Sequence, residues 1–374
     1  MNKQDKLKTL FDFTNKNILL SDYLSKREVR ELFMRYLSAS SEKEMLDKLD
    51  IDFYYLSFRD LSQNETCFPY YKGPELFINK TERVCPFGIT WKRDVRDDKF
   101  AVDEATRGPF TELDVKEKDI LAHNWPKPEW FDFSLLAKEC DEFSDKIIVG
   151  GLWSGIHGDS NRMMGYENFL LNIAMNKPLI KVLVDRMTQF YLEANRQYFE
   201  AVKGKMDIFF MGNDFGAQNG LLISEEDWEE LYYDNFKKLI DLAHSYGFKV
   251  MMHSCGGIDP LLPRFIELGV DMIDPVQTTA KGMEPENLSK KYGDKLVFHG
   301  GLDTQNIFPN GTQNEVEEHC TNLVSKLNTN GNLVICPSNN FMPGTPLENI
   351  ERAYMVINKL KHHMSKSNYE KRCN

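Results

Sequence analysis

The chain has 374 residues, with 46 Lys and Arg against 57 Asp and Glu and a formal charge of −11, so it lacks the cationic surplus that binding a phosphate backbone requires, and nucleic acid is not expected as a partner. No apolar run approaches the roughly 18 residues that a membrane-spanning helix needs, and the opening MNKQDKLKTLFDF has no signal-peptide core, so a cytoplasmic protein that does not engage membranes is expected. Seven cysteines, at 67, 85, 140, 255, 320, 336 and 373, are odd in number and scattered, the pattern of reduced thiols rather than of a disulfide framework.

In chain order, SKREVRELFMRYL (25–37) reads as an amphipathic helix and IDFYYLSF (51–58) as the first strand. Region 65–115 is where an eighth strand is sought, although ELFINKTERVCPFGITWKRDV within it reads more as inserted hairpins. NWPKPEWFDF (124–133) looks like a packed connection, so 65–133 is expected to be an insertion that adds a substrate wall. KIIVGGLW (146–153) is a buried strand leading to helices near 166–202, with SNRMMGY (160–166) as a possible lid.

MDIFFMG (206–212) is another strand, and the helix after it opens on Ser224 and Asp227 in capping-box spacing and stops at Gly247. KVMMHSC, VDMIDP, KLVFHGG and NLVICPS follow, separated by helices from Asp259 to Gly269, over EPENLSKKYG and near 313–328. Seven strands alternating with helices imply parallel βαβ units. With no repeat or flexible linker, one (β/α)8 TIM barrel spanning 1–374 is favoured over an open doubly wound sheet.

The stretch FKVMMHSCGGIDP (248–260) carries the chemistry. Residues i and i+2 of a strand share a face, so His253 and Cys255 project together at the strand end where barrels hold their active sites. A buried histidine and a buried free thiol are the plain alternative. Strand-end placement, zinc-type donors and a second strand-end cysteine, Cys336, favour a catalytic zinc with an open position. Asp274 ends its strand in the pocket, whereas Asp271 starts it at the opposite face. His299 and Asp303 share the mouth, with proton transfer or a supporting hydrogen bond both open to them, and Trp153 either stacks on a planar substrate or packs. His157, His244, His362 and His363 are read as surface or helix residues.

IFFMGNDFGAQNGLLIS, LIDLAHSYGFKVMMHSCG, VDMIDPVQ, LVFHGGLDTQNIFPNGT and PGTPLENI resemble, in order and spacing, the uroporphyrinogen decarboxylase-like superfamily, in particular its corrinoid-dependent methyltransferase branch, over about 130–355. The resemblance implies a (β/α)8 barrel and a zinc ion held by His253, Cys255 and a third residue. Counting back from Pro343 puts the family's third position at Asn339, three residues after Cys336, and Cys336 is taken as the ligand with Asn339 left to substrate binding. Asp214 and Gln218 resemble pocket positions of the family, Asp214 orienting substrate or ligand, or capping a turn.

The resemblance implies methyl transfer between a small methylated substrate or thiol and cobalt, and the aromatic-rich insert favours the substrate-demethylating role. No D-x-H-x-x-G run occurs, so the corrinoid (cobalamin) is expected on a partner protein, and family members tend to form homodimers. An R-Q-A-G-R-type segment of the true decarboxylases is absent from the sequence. A metal-free porphyrinogen decarboxylase-type lyase and a non-catalytic ligand-binding barrel remain the alternatives.

Overall fold

The structure is a computed structural model describing residues 2–13, 17–22, 27–56, 71–96, 100–112 and 114–373. Eight parallel strands form one sheet: β1 (Ile18–Leu20), β2 (Phe53–Tyr55), β3 (Ile147–Gly150), β4 (Ile208–Gly212), β5 (Lys249–His253), β6 (Met272–Val276), β7 (Val297–Leu302) and β8 (Leu333–Pro337). Their spatial order is β1-β8-β7-β6-β5-β4-β3-β2. Helices follow the strands and cover the outside, as in a (β/α)8 barrel. Among the described residues, no helix is long and apolar enough to cross a membrane.

The seven strands read from sequence are present; 65–70, 97–99 and 113 lie outside the described residues, and the eighth is not among the rest of 65–115. It is the three-residue Ile18–Leu20, which pairs with β8. Glu82–Val84, Thr90–Arg96 and Phe100–Arg107 instead make a separate antiparallel sheet. The end of that sheet packs on the helix Ile156–Met164, where Arg162 lies 5.4 Å from the Trp91 ring centre and the Phe110 N–H donates to Met163 O. Met163 and Met164 are fully buried in that helix, so 160–166 is packed structure rather than a lid.

β1 and β2 meet at a seam sealed by one carboxylate. The Asp52 N–H donates to Leu20 O, while the Leu20 N–H donates back to Asp52 Oδ2, each at 2.8 Å. Lys361 from the last helix reaches Oδ2 at 2.8 Å, and Lys6 from the N-terminal helix Lys3–Phe11 reaches Oδ1 at 2.7 Å. Asp52 itself is buried, so its charge is tolerable only because two cations and an amide surround it.

Inside the barrel, period-two alternation sorts residues into layers. Leu19, Phe53, Ile147, Ile208, Met251, Met272, Val297 and Val334 fill a wholly apolar layer, with Leu10 of the N-terminal helix packed against it. Two residues further along each strand, the inward positions on one side turn polar: Ser21, Cys336, His299, Asp274 and His253, with Tyr55 beside them. The apolar layer is the floor on which these polar groups stand.

Replacing Asp52 with Ala should cost roughly 3–5 kcal/mol, the usual loss when one partner of a buried ion pair is removed. A shift of the urea midpoint at unchanged slope checks it.

Candidate active site at the barrel mouth

β5 ends at His253, and Cys255 follows in the turn. That turn passes backbone against backbone under the hairpin after β4, Gly216–Ala217 paired with Gly220–Leu221. A Cβ on Gly216 would sit 2.5 Å from Cys255 O, and one on Gly256, whose φ is +84°, 2.5 Å from the Gly216 carbonyl carbon. The paired glycines after Cys255 are therefore there for close approach. The approach lets the Cys255 N–H donate to Asp214 Oδ1 at 2.9 Å.

Three donor atoms converge. His253 Nε2 lies 3.4 Å from Cys255 Sγ and 3.3 Å from Asp214 Oδ1, and ligand atoms of the three residues all fall within 4.8 Å of one another. The Trp153 ring packs on His253 with centres 5.0 Å apart and lies over Gly212, where any Cβ would collide with it. Gln277 ties the rim together: its Oε1 accepts from the Gly256 N–H and its Nε2 donates to Gln218 Oε1, both at 3.1 Å. Gln218 in turn donates to Thr279 O.

Behind the rim a buried hydrogen-bond chain crosses neighbouring strands. His253 Nδ1 and Asp274 Oδ2 are 2.6 Å apart, as are Asp274 Oδ1 and His299 Nδ1. His299 Nε2 meets the Tyr55 hydroxyl at 2.9 Å, and that hydroxyl meets Ser21 Oγ at 2.9 Å. Cys336 Sγ lies 3.1 Å from His299 Nδ1, so Asp274, His299 and Cys336 form a second, fully buried cluster.

The electrostatics ask for positive charge at the rim. Burial pushes the His253 pKa down, but Cys255, Asp214 and Asp274 outweigh it and hold the imidazole well above its ordinary value. Burial pushes Asp214 up, yet the hydrogen bond and charge of His253, with the Cys255 amide, hold its carboxyl far below the usual range. Asp274 is likewise opposed by burial and held down by His253 and His299. Cys336 goes the other way: burial, then the charges of Asp274 and Asp22, raises its thiol well above normal, so it stays protonated.

A family model described as uroporphyrinogen decarboxylase (URO-D) matches residues 135–360. The chain belongs to this family. A solved methyltransferase from Methanosarcina mazei shares the fold, at 15% identity and a TM-score of 0.59 over 96% of this chain and 99% of its own. A sugar phosphate isomerase/epimerase from Parabacteroides distasonis (10% identity, TM-score 0.36, 91% and 93% covered) and a D-psicose 3-epimerase from Clostridium cellulolyticum (11%, 0.33, 63% and 85%) are too remote to bear on the site. No curated protein matches the chain.

In this uroporphyrinogen decarboxylase-family barrel, His253, Cys255 and Asp214 form one donor set of imidazole nitrogen, thiol sulfur and carboxylate oxygen. These are the three ligand types that zinc accepts, and three of them leave a fourth position open. The donor set thus fits the metal that the resemblance implies. Cys336 does not join it: β6 and β7 stand between β8 and β5, and its sulfur turns to His299. His299 and Asp274 stand inside the barrel rather than in its opening, and of the two roles open to His299 the structure shows the supporting hydrogen bond. Both are fully buried, and the ring nitrogens of one and the carboxylate oxygens of the other are engaged within the chain.

Trp153 and Gln218 are at the rim as expected, and Asn339 is exposed after β8 with its Oδ1 accepting locally from the Asn340 N–H. Asp303 Oδ1 accepts from the Gln305 and Asn306 amides as a turn cap. Sequence reasoning missed Gln277, Tyr55 and Ser21; inward alternation from Phe53 was the signal for Tyr55, whereas Ser21 follows a strand too short to show a pattern. His157 lies in the helix Ile156–Met164, as one of the two readings had it, and is buried there against Phe215 and bonded to the Tyr232 hydroxyl at 2.8 Å.

Burial pushes His157 down to about 4 from an ordinary 6.5. Below about pH 6.5 the unfolded chain then binds the proton that the folded one refuses. Stability from this group is full above that pH and should fall by about 3 kcal/mol as pH drops toward 4. Urea unfolding at stepped pH checks this, with His157→Gln flattening that part of the profile.

Proposed function

We propose that this chain is a zinc-dependent methyltransferase that moves a methyl group from a small methylated compound to the cobalt of a separate corrinoid protein. The observation carrying the reading is the convergence of His253 Nε2, Cys255 Sγ and the Asp214 carboxylate at the C-terminal mouth of the barrel. The uroporphyrinogen decarboxylase family and the fold shared with the Methanosarcina mazei methyltransferase support it.

Zinc bound there would supply Lewis acidity toward the heteroatom that loses its methyl group. His253, Cys255 and Asp214 would hold the ion, with Cys255 entering as thiolate after giving up its proton. One carboxylate in place of a second thiolate makes a harder donor set, which leaves the metal more acidic and suits polarising a leaving group over activating a thiol nucleophile. Trp153 would wall the methyl-bearing group, while Gln218 and Gln277 fix the loops around it and Asn339 offers a polar contact on the opposite rim. A substrate held by these groups would present its methyl toward the open mouth, the side from which a corrinoid protein would approach.

Purified protein should contain about one zinc per chain, consistent with a three-ligand catalytic site. It should methylate free cob(I)alamin from a panel of methoxylated and methylated small compounds, and lose that activity to a chelator. Cys255→Ser should lose zinc by more than the ~10–100-fold that removal of an outer partner costs. Zinc content that is sub-stoichiometric and indifferent to Cys255→Ser would sink the reading, and release of carbon dioxide from porphyrinogens by metal-free protein would replace it with a decarboxylase.

A further inference from the structure

Resting on that metal reading, we infer that Tyr55 and His299 are positioning residues for the metal site: acting through Asp274, they fix which nitrogen of His253 presents its lone pair to the rim.

The carboxylate at the centre of the chain fixes the direction of the bond on either side of it. Asp274, as a carboxylate, only accepts, so at 2.6 Å both imidazoles must present N–H at Nδ1. A lone pair on either Nδ1 would set two acceptors against each other. With its Nδ1 hydrogen donated to Asp274, His299 turns Nε2 to the Tyr55 hydroxyl at 2.9 Å, where the Tyr55 O–H can donate to a ring lone pair. The Tyr55 oxygen is then left to accept from Ser21. Cys336 fits the same scheme, its thiol contacting Pro337 O at 3.3 Å while its sulfur shares the His299 N–H.

The far end of this chain is His253. With its Nδ1 hydrogen committed to Asp274, Nε2 is the nitrogen left to give up its proton to an incoming cation, and Nε2 is the atom that faces Cys255 and Asp214. Ser21, His299 and Asp274 show no exposed surface and Tyr55 only 2%, so the chain is shut away from bulk water that could supply an alternative partner to a broken link. A residue on β2 thereby acts on a metal ligand on β5 across the barrel. A metal-bound histidine depends on such a partner for tautomer and ring orientation.

The test is zinc affinity of the full-length protein, by competition with a chromophoric chelator, beside the visible spectrum of the cobalt(II)-substituted protein and thermal unfolding of each variant. Asp274→Asn and His299→Leu should raise the zinc dissociation constant ~10–100-fold. Tyr55→Phe, which removes one hydrogen bond and little volume, should raise it roughly 5-fold. The discriminating variant is His299→Asn, whose side-chain amide can take the Nδ1 place and still donate to Asp274. It should recover most of the affinity lost in His299→Leu and restore the wild-type cobalt spectrum.

Cooperatively folded Asp274→Asn and His299→Leu proteins that hold zinc as tightly as wild type would overturn the inference alone. So would a His299→Asn protein as weak as His299→Leu, because the role would then be mere packing. If Asp274→Asn does not fold, Tyr55→Phe with unchanged zinc affinity is sufficient to overturn it. Wild-type protein that binds no zinc would remove the metal reading and this inference together.

Discussion

The structure turns on one buried carboxylate, Asp274, held between two imidazoles at 2.6 Å on each side. Moving an isolated carboxylate into a protein interior costs several kcal/mol even after relaxation, and only close, charge-assisted partners offset it. β6 supplies the carboxylate and its two neighbours supply the partners: the register pairs His253 with Asp274, while the inward alternation of β7 brings up His299. Once those bonds are made, the interior of the polar layer is satisfied, and His253 Nε2 is left facing the mouth.

What that nitrogen meets is decided by backbone packing. Gly216 and Gly256 let two turns from adjacent strands touch without side chains between them, which delivers Asp214 and Cys255 to the same point. The Gln218 and Gln277 side chains then bind the turns after β4, β5 and β6 to one another. A ligand set drawn from two such loops would be loose on its own. Here it is clamped by short-range contacts that leave little freedom to the loops, which is what a preorganised metal site requires.

Much of this was legible in the sequence because period two is a local signal. The shared face of His253 and Cys255 follows from that alternation, and the seven strands and the pocket end of Asp274 against the far end of Asp271 follow from short apolar runs that are equally local. The strand Ile18–Leu20 did not, since three apolar residues carry no pattern and its pairing depends on β8, more than 300 residues away. Cys336 was placed correctly at a strand end but given the wrong neighbour. Strand-end logic says which layer a residue occupies, whereas partner choice depends on position around the barrel, and Asp274 and His299 fill the arc between it and His253.

The residues hardest to read from sequence turn out to do two jobs. The β1–β2 seam is sealed at its base by Asp52 with Lys6 and Lys361, and two residues beyond Phe53 and Leu19 the same two strands contribute Tyr55 and Ser21, bonded across it at 2.9 Å. A two-residue slip of β1 would leave the alternation intact yet carry Ser21 away from Tyr55 and Leu20 away from Asp52 together. Barrel closure and the order of the hydrogen-bond chain behind His253 are therefore set by the same register. A short strand suffices for that task because buried side chains, rather than a long ladder, hold it in place.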